Sequence, residues 1–134
     1  MISHVFLPAA DFARAHAFWS AILPGLGWKI RFCQPEKPWA AWQPAHLDGP
    51  TGRPLLVYGA PFDGAPDPGN GHMLALLAPN RAAVGAAHAA ALAHGASDEG
   101  APGLRPQYHP DYFGAYFRDT EGNKACVVCH GPED

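Results

Sequence analysis

The stretch His72-Met73-Leu74-Ala75-Leu76-Leu77-Ala78-Pro79-Asn80-Arg81 decides the fold, because a short apolar run in it leads into a helix-capping asparagine. Beyond Asn80 the pattern turns helical, with Val84, Ala87, His88, Ala91 and Leu92 recurring at helical spacing until Gly95. The opening of the chain follows the same order. Ser3 to Leu7 reads as a strand containing His4, Asp11 as an N-cap, and Ala15, Phe18, Trp19, Ile22, Leu23 and Leu26 as the buried stripe of a helix ended by Pro24, Gly25 and Gly27. The offsets agree within one residue: 72 − 4 = 68 for the histidines, 80 − 11 = 69 for the caps and 95 − 27 = 68 for the closing glycines. Self-similarity at a fixed offset marks an internal repeat.

Each half continues in the same way after its helix. Trp28 to Cys33, Trp39 to Gln43 and Leu55 to Gly59 read as strands in the first half; a weak strand near 97–99, Tyr112 to Arg118 and Lys124 to Cys129 follow in the second. Residues 61–71, with three prolines and three glycines, form the linker. The expected fold is α+β: two β-α-β-β-β modules, about 1–60 and 72–134, in one domain of 134 residues, sharing one cupped mixed sheet with the helices outside.

Composition narrows the function. Hydrophobic residues make up 48% and charged ones 16%, enough apolar material for a core and too little charge for disorder. A net charge of −3 without runs of like charge excludes nucleic acid and anionic membrane surfaces as partners. The start shows no basic region followed by an apolar one, and no apolar run approaches the ~20 residues of a membrane span, so a cytoplasmic protein is expected. Three cysteines argue for reduced thiols.

Strand alternation then picks out side chains. His4 and Phe6 share a face of the first strand, His72 is read onto the matching face of its counterpart, and Lys124, Cys126, Val128 and His130 share a face of the last. Subtracting 68 from 126 gives Tyr58 in the fourth strand. His4, Tyr58, His72 and Cys126 would then meet on a pseudo-twofold axis inside the cup, where a metal or polar ligand would sit. Cys126-Val127-Val128-Cys129-His130 spells the C-x-x-C-H of haem attachment, but Val-Val after a Gly-Asn turn favours a strand, which points the two thiols to opposite faces. His16, His88 and His94 on the helices are read as packing or surface residues, and Cys33 and Cys129 as small buried apolar ones.

His4-Val5 with an Asp-led helix ending Leu26-Gly27, Gly71-His72 at the second opening, and Asp119-Thr120-Glu121-Gly122-Asn123 before the last strand resemble the vicinal oxygen chelate superfamily. That superfamily includes glyoxalase I, methylmalonyl-CoA epimerase, extradiol dioxygenases, and the fosfomycin and bleomycin resistance proteins. The resemblance covers essentially the whole chain. It is nearest to small bacterial glyoxalase-like proteins, through Pro102-Gly103-Leu104-Arg105-Pro106, Tyr112-Phe113-Gly114-Ala115 and the Asp-x-x-Gly-Asn turn.

The resemblance implies metal ligands on the first, fourth, fifth and eighth strands, and a homodimer. His4 and His72 match; Cys126 stands where a glutamate is usual, and Tyr58 is a weak fourth ligand. The cofactor is then one divalent metal, Zn²⁺ fitting His, His and Cys best, or none. The first functional expectation is a small-molecule isomerase or lyase acting on an oxygen-rich substrate at that site, with Phe6 as an apolar wall, Arg105 pairing a substrate carboxylate, and Tyr108, His109 and Tyr112 on a loop over the cup. The alternative is a metal-free binding protein of the bleomycin-resistance type, its pocket made by Trp42, Tyr58, Tyr108 and Tyr112. An extradiol dioxygenase comes third, since its iron site needs a carboxylate absent here.

Overall fold

The computed structural model describes residues 1–133. Strands β1 (His4–Pro8), β2 (Trp28–Gln34), β3 (Trp39–Pro44) and β4 (Leu55–Gly59) form a sheet in the order β1-β4-β3-β2, and α1 (Phe12–Ile22) follows β1. The second half repeats the arrangement with β5 (Leu74–Leu77), α2 (Arg81–Ala93), β6 (Ser97–Leu104), β7 (Phe113–Arg118) and β8 (Lys124–Cys129), in the order β5-β8-β7-β6. In each sheet the first strand pairs parallel with the last and the other pairings are antiparallel. The α+β architecture with two β-α-β-β-β units is the expected one. Its backbone ladder runs as two four-stranded sheets, with β1 and β5 each at an edge.

Both helices start where the sequence places them. The Asp11 carboxylate accepts from Arg14 N–H at 3.1 Å and the Asn80 side chain from Ala83 N–H at 2.8 Å, each satisfying a donor that the first helical turn leaves open. Gly27 and Gly95 follow the helical regions at φ +85° and +101°, a left-handed conformation that favours glycine. β6 is longer than the expected strand at 97–99, and its register shifts between Asp98 and Gly100 and again between Gly100 and Gly103. Gly100, Pro102 and Gly103 hide such a strand from its sequence.

One core takes residues from both halves. Phe18 and Trp19 of α1 pack on Phe117 of β7, at ring centroid distances of 5.9 and 6.3 Å, and Val84, Ala87 and Ala91 of α2 join them. The motif Asp119-Thr120-Glu121-Gly122-Asn123 then ties the halves together. Asp119 Oδ1 accepts from the N–H groups of Glu121 and Asn123, which shapes the turn. Glu121 accepts from Ala10 N–H at 2.7 Å and Asp11 N–H at 3.1 Å, just before α1, and Asn123 Nδ2 donates to Pro8 O at 3.1 Å. The motif is therefore a clasp between modules.

The ladder also sets which face each residue takes. Val5, Phe6 and Leu7 run half-buried, exposed and buried, as do Leu74, Ala75 and Leu76, and Leu7 with its partner Tyr58 shares the main core with Leu76 and its partner Val127, so the structural offset is 76 − 7 = 127 − 58 = 69, the value given by the two N-caps. Cys126 therefore matches Val57, and Tyr58 matches Val127. A one-residue slip exchanges the faces of a strand. On the open face of the first sheet, Ala41, Leu55 and Val57 pack with Phe32 in a small apolar cluster, while Phe6 and, on the second sheet, Leu77 stay 43% and 68% exposed.

Candidate functional site

Alternation builds the open face of the second sheet. Tyr116 lies opposite Cys126 and Arg118 opposite Lys124, so these four side chains, with Tyr112 two residues before Gly114, share that face. With residues 70–73 and the loop before β7, they border a cleft of about 660 Å³ lined by Tyr108, His109, Tyr112, Tyr116, Lys124 and His130, among others. That volume suits a small organic ligand, for which pockets of about 300–1,000 Å³ are usual.

The floor is a chain of protonated groups. Tyr112 OH lies 2.9 Å from Tyr116 OH and 3.6 Å from Cys126 Sγ. Burial raises the pKa of all three, with the neighbouring hydroxyl and thiol raising Tyr112 further. At neutral pH the two phenols are donors and Cys126 is a thiol, buried and without thiolate character.

The loop side carries a second chain. Asp111 N–H donates to His109 Nδ1 at 3.2 Å, so His109 carries its proton on Nε2 and donates it to His130 Nδ1 at 2.8 Å. In this arrangement both imidazoles are neutral and His130 keeps its own proton on Nε2. The rings stack at 5.1 Å, Tyr112 sits edge-on to both, and Tyr108 lies 4.8 Å from Tyr112. The loop residues thus order one another through ring contacts and through backbone donors, Arg105 N–H to Tyr112 O, Tyr108 N–H to Arg105 O and Tyr112 N–H to His109 O, besides that of Asp111.

Two cations meet at Tyr116. The Arg105 guanidinium lies 5.5 Å and the Lys124 ammonium 6.0 Å from its ring centroid. Arg105 donates to Ala101 O and Leu104 O, and Arg118 is paired with Glu99 at 2.8 Å.

The residues expected to hold a metal do not come together. Tyr58 is buried on the helix side, where its hydroxyl accepts from Trp42 Nε1 at 2.9 Å and donates to His16 Nδ1 at 2.6 Å. Burial pushes its pKa up to about 12 and lowers that of His16, so both are neutral at neutral pH. Trp42 belongs to the same core, away from the cleft. His4 is exposed beside Ser3 Oγ at 3.0 Å. His72 precedes β5, matching Ser3 rather than His4 at the 69-residue offset; its ring lies against Gly69 and borders the cleft. Among the described residues no group of three or more His, Cys, Asp or Glu side chains is placed to hold a metal ion. A buried neutral thiol, a phenol facing the opposite side and two separate imidazoles do not make a donor set for Zn²⁺.

Of the other expected residues, Tyr108, His109 and Tyr112 line the cleft, and Phe6 lines a smaller groove of about 290 Å³ beside His72 and Lys124. Sequence reasoning did not name Tyr116, Arg118, Lys124 or His130 as site residues. The signal was there: two-residue alternation from Tyr112 reaches Tyr116 and Arg118, and from Cys126 reaches Lys124 and His130. His88 is buried against Asp98 at 3.0 Å and His94 bonds Ala90 O, as packing residues do. No helix among the described residues is long and apolar enough to cross a membrane.

Residues 1–127 match the family model described as Glyoxalase/Bleomycin resistance protein/Dioxygenase superfamily. Solved structures repeat the fold. A glyoxalase/bleomycin resistance protein from Albidiferax ferrireducens T118 is similar at 29% identity and a TM-score of 0.79, over 96% of this chain and 98% of that one. A glyoxalase/bleomycin resistance protein/dioxygenase family enzyme from Burkholderia phytofirmans PsJN shares the fold at 18% identity and a TM-score of 0.67, over 96% and 98%. A glyoxalase I mutant from Zea mays does so at 20% identity and 0.64, over 95% of this chain but 46% of that one. Among curated proteins none matches the chain.

Proposed function

The chain belongs to the Glyoxalase/Bleomycin resistance protein/Dioxygenase superfamily, and from that premise we propose that it binds a small organic molecule in the cleft of its second module, with its own side chains as the recognition elements. The supporting observation is the lining: three tyrosines, three imidazoles and a lysine face one cavity, while among the described residues no three His, Cys, Asp or Glu side chains are grouped to ligate a metal. Of the protonated Tyr112–Tyr116 pair, the hydroxyl whose proton is not spent on the other would donate a hydrogen bond to a ligand oxygen, and Tyr108, 63% exposed, would cover a planar part of the ligand.

A second reading, an isomerase or lyase of an oxygen-rich substrate, draws support from the hydroxyl–thiol chain and the neutral His109–His130 pair, groups able to move protons at the cleft wall. No step in it is assigned to a metal. A homodimer, implied by the resemblance, would cover Phe6 and Leu77 on the open faces of the two sheets.

Elemental analysis of protein purified without chelator, beside Cys126→Ala and His72→Ala, tests the reading. Metal well below one per chain, unchanged by either substitution, is expected. Near-stoichiometric metal lost in both variants would return the site to the His4, His72 and Cys126 set. Turnover by ligands that bind the cleft, followed by NMR of the ligand, separates the second reading from simple binding.

A further inference from the structure

The geometry points to an anion as the ligand: a carboxylate or phosphate carried on a planar ring, seated with its charge beside Lys124 at the Tyr116 hydroxyl, within the field of Arg105, and its ring against Tyr108 and Tyr112. The inference deepens the proposed cleft and rests on it.

The charge around Tyr116 carries the argument. Arg105 follows β6 and Lys124 opens β8, yet both cations reach the one tyrosine ring between them, at 5.5 and 6.0 Å. Neither has a carboxylate within ion-pair distance among the described residues. Each nearby acid is committed elsewhere. Glu99 pairs with Arg118, Asp111 lies 3.8 Å from Arg81, Asp119 shapes its own turn and Glu121 holds the start of α1. Among the described residues no carboxylate lines the cleft, whose other polar groups are tyrosine hydroxyls, imidazoles, Asn70 and Arg118, the last paired with Glu99. The field of the two cations already reaches the floor, where each favours the thiolate of Cys126 although burial outweighs them.

Lys124 on the lining and Arg105 at the Tyr116 ring, outside the lining, are uncompensated positive charges that attract an anion, and the half-buried setting strengthens the effect over bulk water. A cationic ligand would be repelled. The shape of the site follows from the rings: Tyr108 and Tyr112, tilted at 57°, offer aromatic surface to a flat group. The protonated Tyr112–Tyr116 pair, one of whose protons closes the bond between them, then presents its remaining hydroxyl donor to an oxygen of the acid.

The test titrates full-length protein with benzoate, phenyl phosphate, benzamide and benzylammonium by calorimetry, with NMR shifts of the tyrosine rings reporting the place of binding. Benzoate or phenyl phosphate should bind at Tyr108, Tyr112 and Tyr116, with benzamide weaker by about tenfold or more, as expected for charged hydrogen bonds lost, and benzylammonium weakest. Lys124→Met should weaken the acids by about tenfold and leave benzamide unchanged, Arg105→Met should weaken them by less, through its field alone, and added salt should weaken the acids alone. Benzamide or benzylammonium binding at the tyrosines as well as benzoate would overturn the anion inference while leaving the cleft as a ligand site. Absence of ring shifts with all four probes would overturn both.

Discussion

Removing the Tyr58 hydroxyl separates a structural tyrosine from a ligating one. The group is buried between α1 and the first sheet, accepting from Trp42 Nε1 and donating to His16 Nδ1. In Tyr58→Phe the indole N–H of Trp42, a residue only 6% exposed, loses its acceptor with no water to replace it. Leaving such a donor unsatisfied costs about 1–3 kcal/mol. His16 is half-buried and recovers a partner from solvent, so it adds little. For a chain of this size the loss corresponds to a fall in Tm of roughly 4–12 °C. Urea unfolding of wild type, Tyr58→Phe, Trp42→Phe and the double variant supplies the assay. Trp42→Phe removes the stranded donor, so the two substitutions should be less costly together than their sum, by about 1 kcal/mol. Ligand affinity in the cleft should stay at the wild-type value in Tyr58→Phe. A stability within 0.5 kcal/mol of wild type, or a weakened ligand, would refute the placement of this hydroxyl on the helix side.

Further outcomes follow from other sites. Ellman titration of the native protein should show one fast thiol, the exposed Cys33, with Cys126 and Cys129 reacting only on unfolding; fast reaction of Cys126 would contradict its burial and raised pKa. Burial raises the Asp119 pKa, so the folded protein holds that proton more tightly than the unfolded chain. Its contribution to stability is full below the ordinary aspartate range and is lost as pH rises through the raised value. Urea stability measured from about pH 3.5 to 6 should therefore fall with pH by more in wild type than in Asp119→Asn, and parallel curves would count against it. Gly59→Ala should cost about 1–3 kcal/mol, because a Cβ there would lie 2.5 Å from Pro38 O and 2.7 Å from Trp39 Cβ, which the β3 pairing holds in place. A melting temperature equal to wild type would show that this strand end yields.

The elements were legible in the sequence because their signals are local. Asp11 and Asn80 announce the helices, helical spacing names Phe18, Trp19, Val84 and Ala91 as core, and turn residues bound most strands. β6 escaped because Gly100, Pro102 and Gly103 break the alternation that would reveal it. Faces were harder to read. The histidines and glycines suggest 68 and the caps 69, and the single residue between them moves Tyr58 from the helix layer to the cup. Only burial in the folded sheets decides, with Leu7 and Tyr58 in the same core as Leu76 and Val127, since which face is covered is a tertiary property. The cleft was half legible: alternation in β7 and β8 contains Tyr116 and Lys124, but that the loop holding His109 folds onto His130 depends on contacts between segments about 20 residues apart.

A chain built twice over invites the expectation of two equivalent places for a ligand, and the apolar cluster of the first sheet denies it. Where the second sheet presents Tyr116, Cys126 and Lys124, the matching positions of the first carry Ala41, Val57 and Leu55, packed with Phe32. One half has kept the architecture while its surface serves cohesion. A saturating titration should therefore reach a stoichiometry of one per chain, and alterations to the first half should be felt as melting rather than as changed selectivity.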